Sequence, residues 1–152
     1  MPVSPDFTAY NVRMAQLAQL RSQALPLNKD VLFDALVTAG IAKVVVQFDG
    51  SGDSGQIEGI AACNADGDAV DLPKATITFH DTNSSTMSLV ARQDSPANVI
   101  ETMTYELLGQ KHGSWGNDDG AYGDMTFDAG DRSITLDYNE RFTQTTSYVD
   151  TF

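Results

Sequence analysis

Hydrophobic positions along this chain recur at helical spacing in three places and alternate with polar ones over most of the remainder. Phe7, Tyr10, Met14, Leu17 and Arg21 fall on one helical face, with Val12 and Leu20 widening the apolar stripe. Pro26 lacks the amide hydrogen that a helix interior needs, so the pattern predicts a stop there. Asn28 then reads as the N-cap of a second helix, KDVLFDALVTAG. In it Val31, Leu32, Ala35, Leu36 and Ala39 share a face, and Gly40 suits the position just past the end. A third helix opens at Ser95-Pro96, where a capping hydroxyl precedes proline at the first helical position. Val99, Ile100, Met103, Leu107 and Leu108 form its buried stripe. Lys111 and His112 occupy the last turn, where positive charge suits the helix dipole, and Gly113 follows as the stop.

Between and after these helices the period changes to two. IAKVVVQF is a β-branched run that predicts a strand, and QIEGIAAC returns as its hairpin partner. Asn64 to Gly67 supplies a turn. KATITFH sets Ala75, Ile77 and Phe79 against Thr76, Thr78 and His80, which places His80 on a solvated outer face. DTNSS turns the chain into TMSLVAR. The last hairpin joins YGDMTFD to RSITLDYNERF through AGD. The predicted class is α+β: two N-terminal helices, a largely antiparallel sheet of about six strands, and one long helix before the C-terminal hairpin. No repeat or linker interrupts the pattern, so residues 1–152 are expected to form a single domain, helical over 1–40 and sheet plus helix over 41–152.

Composition narrows the function classes. At 41% hydrophobic residues the chain can bury a core, and no run approaches the roughly 18 apolar residues of a membrane span. MPVSPDFTAYNVRMAQLAQL lacks the basic start and apolar block of a secretory signal. Cys63 stands alone, which excludes a disulfide framework and a multi-cysteine zinc site. A reduced, cytoplasmic protein with one semi-buried thiol is expected, with no membrane association. Nine basic against 21 acidic residues give a net charge of −12. Direct binding to nucleic-acid phosphates needs clustered cations, so it is not expected. The excess is uneven: Asn117 to Glu140 holds seven acidic side chains and one basic one, Arg132.

FDGSGDSGQIE carries three candidate chemistries. Gly52-Asp53-Ser54-Gly55 has the letters that surround the nucleophile of trypsin-like proteases. A catalytic serine needs a base and a group to orient it. Only His80 and His112 exist, and the chain is too short for that double barrel, so no catalytic residue is assigned. Asp49, Ser51 and Asp53 alternate as in a calcium loop, yet Ser54 stands where an EF-hand needs glycine and Glu58 arrives early. The simplest reading is a hairpin loop whose glycines supply positive φ.

The final hairpin must bring WGNDDGAYG beside LDYNER, because the start of one strand lies next to the end of the other. If the glycine-rich loop shares that sheet end, one polar rim results. Its residues are Asp49, Ser51, Asp53, Gln56, Glu58, Trp115, Asn117, Asp118, Asp119, Tyr122, Asp137, Asn139, Glu140 and Arg141. Crowded carboxylates need a cation, an arginine or easy solvation, and Arg141 is the nearest base. Trp115 reads equally as an interface anchor or as a lid on the core edge. Tyr122 reads as capping the core with its ring.

These three segments together resemble a bacterial domain-of-unknown-function family. It is marked by Gly-Asp-Ser-Gly-Gln-Ile-Glu, by an Asn-Asp-Gly-x-Tyr-Gly stretch, here Asn117-Asp118-Asp119-Gly120, and by Leu-Asp-Tyr-Asn-Glu-Arg. The resemblance spans roughly Val44 to Phe142. It implies a link to plasmid- or phage-borne genes and groups the segments as one unit, without implying a reaction or ligand.

Two functions are open on these grounds. One is a non-catalytic interaction domain whose acidic rim meets a basic protein surface, including an accessory or anti-defence protein of a mobile element that mimics nucleic-acid phosphates. The other is a divalent-metal-binding protein or metal-dependent hydrolase, with Asp49, Asp53, Asp119 and Asp137 as ligands to Ca²⁺ or Mg²⁺. A third outcome, motifs that only hold turns in shape, competes with both.

Overall fold

A computed structural model of the protein describes residues 5–113 and 115–152, with the side chains of Pro5, Asp6, Phe7, Asp53 and Asp118 outside the described set. The elements run α1 (Pro5–Thr38), β1 (Lys43–Cys63), β2 (Ala69–Val70), β3 (Ile77–Asn83), β4 (Ser88–Asp94), α2 (Pro96–Lys111), β5 (Asn117–Asp128) and β6 (Ser133–Glu140). The class is α+β, and the strands pair antiparallel.

One helix stands where the pattern predicted two. Pro26 lies inside α1. An interior proline removes one hydrogen bond and crowds the carbonyl four residues back, which weakens a helix without severing one that is docked beyond it. Asn28 is accordingly not a cap. Its side chain is buried and clasps β3: Nδ2 donates to the His80 carbonyl at 2.9 Å, and Oδ1 accepts from the His80 N–H at 2.8 Å. Leaving such a buried amide unpaired would cost about 1–3 kcal/mol. His80 is therefore half-buried, not solvated as its place in the alternation predicted, and its Nδ1 is buried with no partner among the described residues.

The two halves of α1 differ in burial. Leu32, Phe33 and Leu36 are fully enclosed, whereas Tyr10, Val12 and Met14 of the expected first stripe are exposed. Phe7 of that stripe lies outside the described side chains. The helix ends as Gly40 predicts. Gly40 takes φ of 74°, its N–H donates to the Val37 carbonyl at 3.0 Å, and the Ile41 N–H donates to Leu36 at 2.9 Å.

β1 has 21 residues, enough to reach roughly 70 Å if straight. Yet the Ala42 N–H donates to the Cys63 carbonyl at 2.9 Å, so the ends meet and the segment doubles back, with Gly52 at φ 69° near its middle. This is the hairpin read from IAKVVVQF and QIEGIAAC. The first arm pairs with β5 and the second with β2, and β6 completes the row. The main sheet thus has five extended arms, while β3 and β4 form a separate two-stranded sheet. A single sheet of about six strands was expected. Alternation fixes which way each side chain points but not which strand lies alongside, and here α1 occupies the flank of β3 through Asn28.

The core lies between the main sheet and the helices. Val44, Val46 and Phe48 of β1 and Met125 and Phe127 of β5 meet Leu32, Phe33 and Leu36 of α1 and Val99, Ile100, Met103 and Leu108 of α2. Each such burial contributes about 1.5–3 kcal/mol before cavity effects. Ser95 caps α2 as predicted, its hydroxyl accepting from the Asn98 N–H at 3.2 Å.

Candidate functional site

The strand registers bring the three polar segments to one end of the main sheet. Asp49 lies opposite Tyr122, Tyr122 opposite Asn139, and Asp53 opposite Asn117. A register shift between Gly50 and Gly52 marks a bulge where β1 passes β5. Alternation then sorts the rim onto two faces. Gln47, Asp49, Glu58, Tyr122, Asp124, Asp137 and Asn139 line an open outer cleft of about 270 Å³. Trp115, Asn117, Asp119, Tyr138, Glu140, Arg141 and Phe142 line a second cleft of about 190 Å³. Among the described residues none lines both clefts, and Ser51 and Gln56 line neither.

The inner cleft is shaped by close packing. The Trp115 ring lies on a shelf of glycine backbone. A methyl on Gly50 would stand 3.0 Å from Trp115 Cε3, and one on Gly55 would stand 2.5 Å from Cη2. Phe48 meets the indole edge-on at 5.5 Å, and Tyr105 lies 6.4 Å away. The Tyr105 hydroxyl accepts from the Ile57 N–H at 3.1 Å, tying α2 to the second arm of β1. His112 stacks on Tyr138 at 3.5 Å, and burial, then the nearby Glu140 charge, pushes the Tyr138 hydroxyl up from its ordinary range. Side chains at Gly120 and Gly123 would overlap the carbonyls of Gly50 and Asp137. The glycines of the motifs are therefore required by close approach as well as by turning. Of the two roles read for Trp115, the packing against Phe48 matches the lid on the core edge, although the ring also lines the cleft.

Charge organises the outer face. Arg141 grips Asp49 with two parallel hydrogen bonds of 3.0 Å and also donates to the Gly50 carbonyl at 3.3 Å. Those bonds hold the guanidinium pKa above its usual value. The same group lies 4.6 Å over the Tyr122 ring, which faces outward and is 44% exposed. Tyr122 therefore does not cap the core, because its strand position alternates with the buried Ala121. Asn139 Nδ2 donates to the Tyr122 carbonyl and to Asp137 Oδ1, both at 3.3 Å. Gln56 donates to Glu58 at 3.1 Å, and Thr143 donates to Asp119 at 2.7 Å. Arg132, the one base of the acid-rich stretch, bonds Asp34 of α1 at 3.0 Å.

The metal set read from the sequence is divided by this arrangement. Asp49 and Asp137 line the outer cleft and Asp119 the inner one, while the Asp53 side chain is outside the described set. Among the described residues no group of three or more His, Cys, Asp or Glu stands together to hold an ion. The carboxyl that is pushed up lies elsewhere: Glu106 on α2 is raised by burial, then by the Asp81 charge, against the opposing pull of Arg21 and Arg92.

Tyr105, His112 and Tyr138 were not read as parts of the rim. Nothing in their spacing signals it, since each serves its own element locally and meets the others only through the tertiary fold. Among the described residues no helix is long and apolar enough to cross a membrane. No curated protein and no solved structure significantly matches the chain. Residues 24–152 match the model of a family of unknown function, DUF6878, and the chain belongs to that family.

Proposed function

We propose that the protein is a non-catalytic binding domain whose acidic outer face meets a basic surface on a protein partner. The observation that carries this reading is the ionic balance of the outer cleft. Arg141 is committed to Asp49, which leaves Glu58, Asp124 and Asp137 as the negative charges along the same lining. The cleft is open and beds on the flat of a sheet, so it suits the reaching side chains of another surface better than an enclosed small substrate. Tyr122 offers an aromatic face beside the carboxylates, and a net charge of −12 steers cationic partners towards the molecule. A sharper form of the reading has these carboxylates stand in for nucleic-acid phosphates before a nucleic-acid-binding partner. It is motivated by the charge and by the plasmid and phage link that the motif resemblance implies.

The test is capture of protein partners on the immobilised chain at low and at high ionic strength. A basic partner should be retained at about 0.05 M salt and released by about 0.5 M, as screening of exposed charges requires. The triple replacement Glu58→Gln, Asp124→Asn, Asp137→Asn should release it at low salt as well. Capture that ignores both salt and this triple neutralisation would overturn the proposal.

A further inference from the structure

The β3–β4 hairpin is lightly anchored. It forms its own two-stranded sheet, and such a pair is marginal in water unless it packs on something else. Phe79 is its one fully buried side chain among the described residues, while most of β4 is exposed. Asn28 of α1 holds the backbone at His80, and Arg13 reaches the Ser84 carbonyl at 3.1 Å. A segment with so few buried contacts opens before the core does.

The face that this hairpin turns to the helices carries charge. Arg92 of β4 lies 5.0 Å over the Phe79 ring and is shared between Asp81 at 3.2 Å and Asp94 at 3.4 Å. Across from it, Glu106 of α2 feels the Asp81 charge, while Arg21 of α1 and Arg92 pull the other way. Glu106 and Arg21 line one narrow cavity between the helices, together with Leu25, Asn28 and Met103. At about 10 Å³ this cavity barely reaches the size of a single water, so little solvent can serve the carboxylate there. Among the described residues Glu106 has no hydrogen bond or ion pair, and the Arg21 Nε is buried without a partner. His80 alternates with Asp81 along β3 and so lies on the opposite face of the hairpin.

Three carboxylates, Asp81, Asp94 and Glu106, thus share two guanidiniums, Arg21 and Arg92. Arg92 is taken by the two aspartates, and Arg21 makes no bond that would fix Glu106 as an anion. One added proton balances the group. We infer that Glu106 takes up this proton and thereby latches the hairpin to the helices, so that docking tightens as pH falls from neutral. When the hairpin opens, Asp81 leaves and water reaches the cavity, which returns the carboxyl towards the ordinary glutamate value of about 4.3. While it is closed, burial and then the Asp81 charge hold Glu106 above that value. A group raised in the closed state adds stability that is complete below the open-state value and is lost as pH rises through the closed-state one. Asp94 runs the other way. Its bonds from Asn98 and the Ser95 N–H lower it, so its support fails only below the ordinary aspartate value of about 3.9. None of these groups lines the outer cleft, so the latch and the partner proposal fail separately.

Hydrogen exchange followed by NMR on the full chain is the test. The His80 N–H is the reporter, because its acceptor is the Asn28 side chain across the docking contact. After correction for intrinsic exchange, the opening equilibrium at His80 should fall about threefold or more between about pH 7 and about pH 5. The Ala129 N–H, bonded to the Ala42 carbonyl beside the main sheet, should change less. Glu106→Gln should give the acid level of protection already at neutral pH and abolish the dependence. Asp81→Asn should reduce it, and Arg21→Gln, which removes a base opposing the proton, should move the transition to higher pH. Protection at His80 that ignores pH would overturn the inference. So would a dependence that Glu106→Gln leaves intact, as proton uptake at His80 itself would leave it. An equal change at Ala129 would also overturn it, since the proton would then act on the whole fold and not on a latch.

Discussion

Trp115 on the inner side and the Asp49–Arg141 pair, which reaches from the inner cleft to the outer one, hold the same sheet end, each through partners far away in sequence. Trp115 is held by missing side chains: Gly50 and Gly55 let the indole lie directly on backbone, and Phe48 closes its edge. Arg141 is held by charge, through the forked contact with Asp49 and the Tyr122 ring beneath it. The first arrangement tolerates no added atom, while the second is solvated and tolerates adjustment. The lesson is that one set of motif residues can serve two ends, the glycines giving the rim its shape and the carboxylates its surface.

That contrast can be broken most severely at Gly120. Gly120→Ala places a methyl on the Gly50 carbonyl from a backbone at φ 83°, with no flexible side chain to yield. A loss of about 3–5 kcal/mol, or failure to fold, is expected in urea titration. A loss under about 1 kcal/mol would mean that the bulge gives way freely and that shape does not govern the inner side. Trp115→Ala comes next. It should cost about 3 kcal/mol as the shelf loses its cover, at the lower end for a large aromatic because the ring is only half-buried. Differential scanning calorimetry reads this where fluorescence cannot, since Trp115 is the one tryptophan. The smallest effect belongs to the outer side. A double-mutant cycle on Asp49→Ala and Arg141→Ala should give a coupling of about 0.5–1 kcal/mol that shrinks with added salt, as for an exposed forked pair. A coupling that rivals the Trp115 effect would erase the distinction between the two faces.

How much of this was legible in the sequence follows from the range over which each signal acts. Gly40, Ser95-Pro96 and Asn64 act on backbone within a few residues, and each does locally what its pattern predicted. The meeting of two of the three polar segments was also readable, because hairpin geometry forces the start of β5 beside the end of β6, whereas the place of the glycine-rich loop beside them was only conditional. Pro26 misled because a local propensity for stopping was outweighed by docking of the helix beyond it. The bulge between Gly50 and Gly52 was not readable, because it shifts register without leaving a mark in the hydrophobic pattern. The shelf under Trp115 was hidden for another reason: a glycine signals freedom to turn, and nothing in the letter says that a ring will occupy the space it leaves.

Asn28 has a mechanical consequence. Its amide joins both hydrogen-bonding groups of His80, so a side chain on a helix behaves as one residue of a neighbouring strand. A helix of 34 residues is thereby keyed in rotation and in translation to one rung of a sheet. One residue inserted between Asn28 and Leu32 would turn the key by about 100° relative to the apolar face. Helix and sheet could then no longer engage together, whatever happened at the far rim.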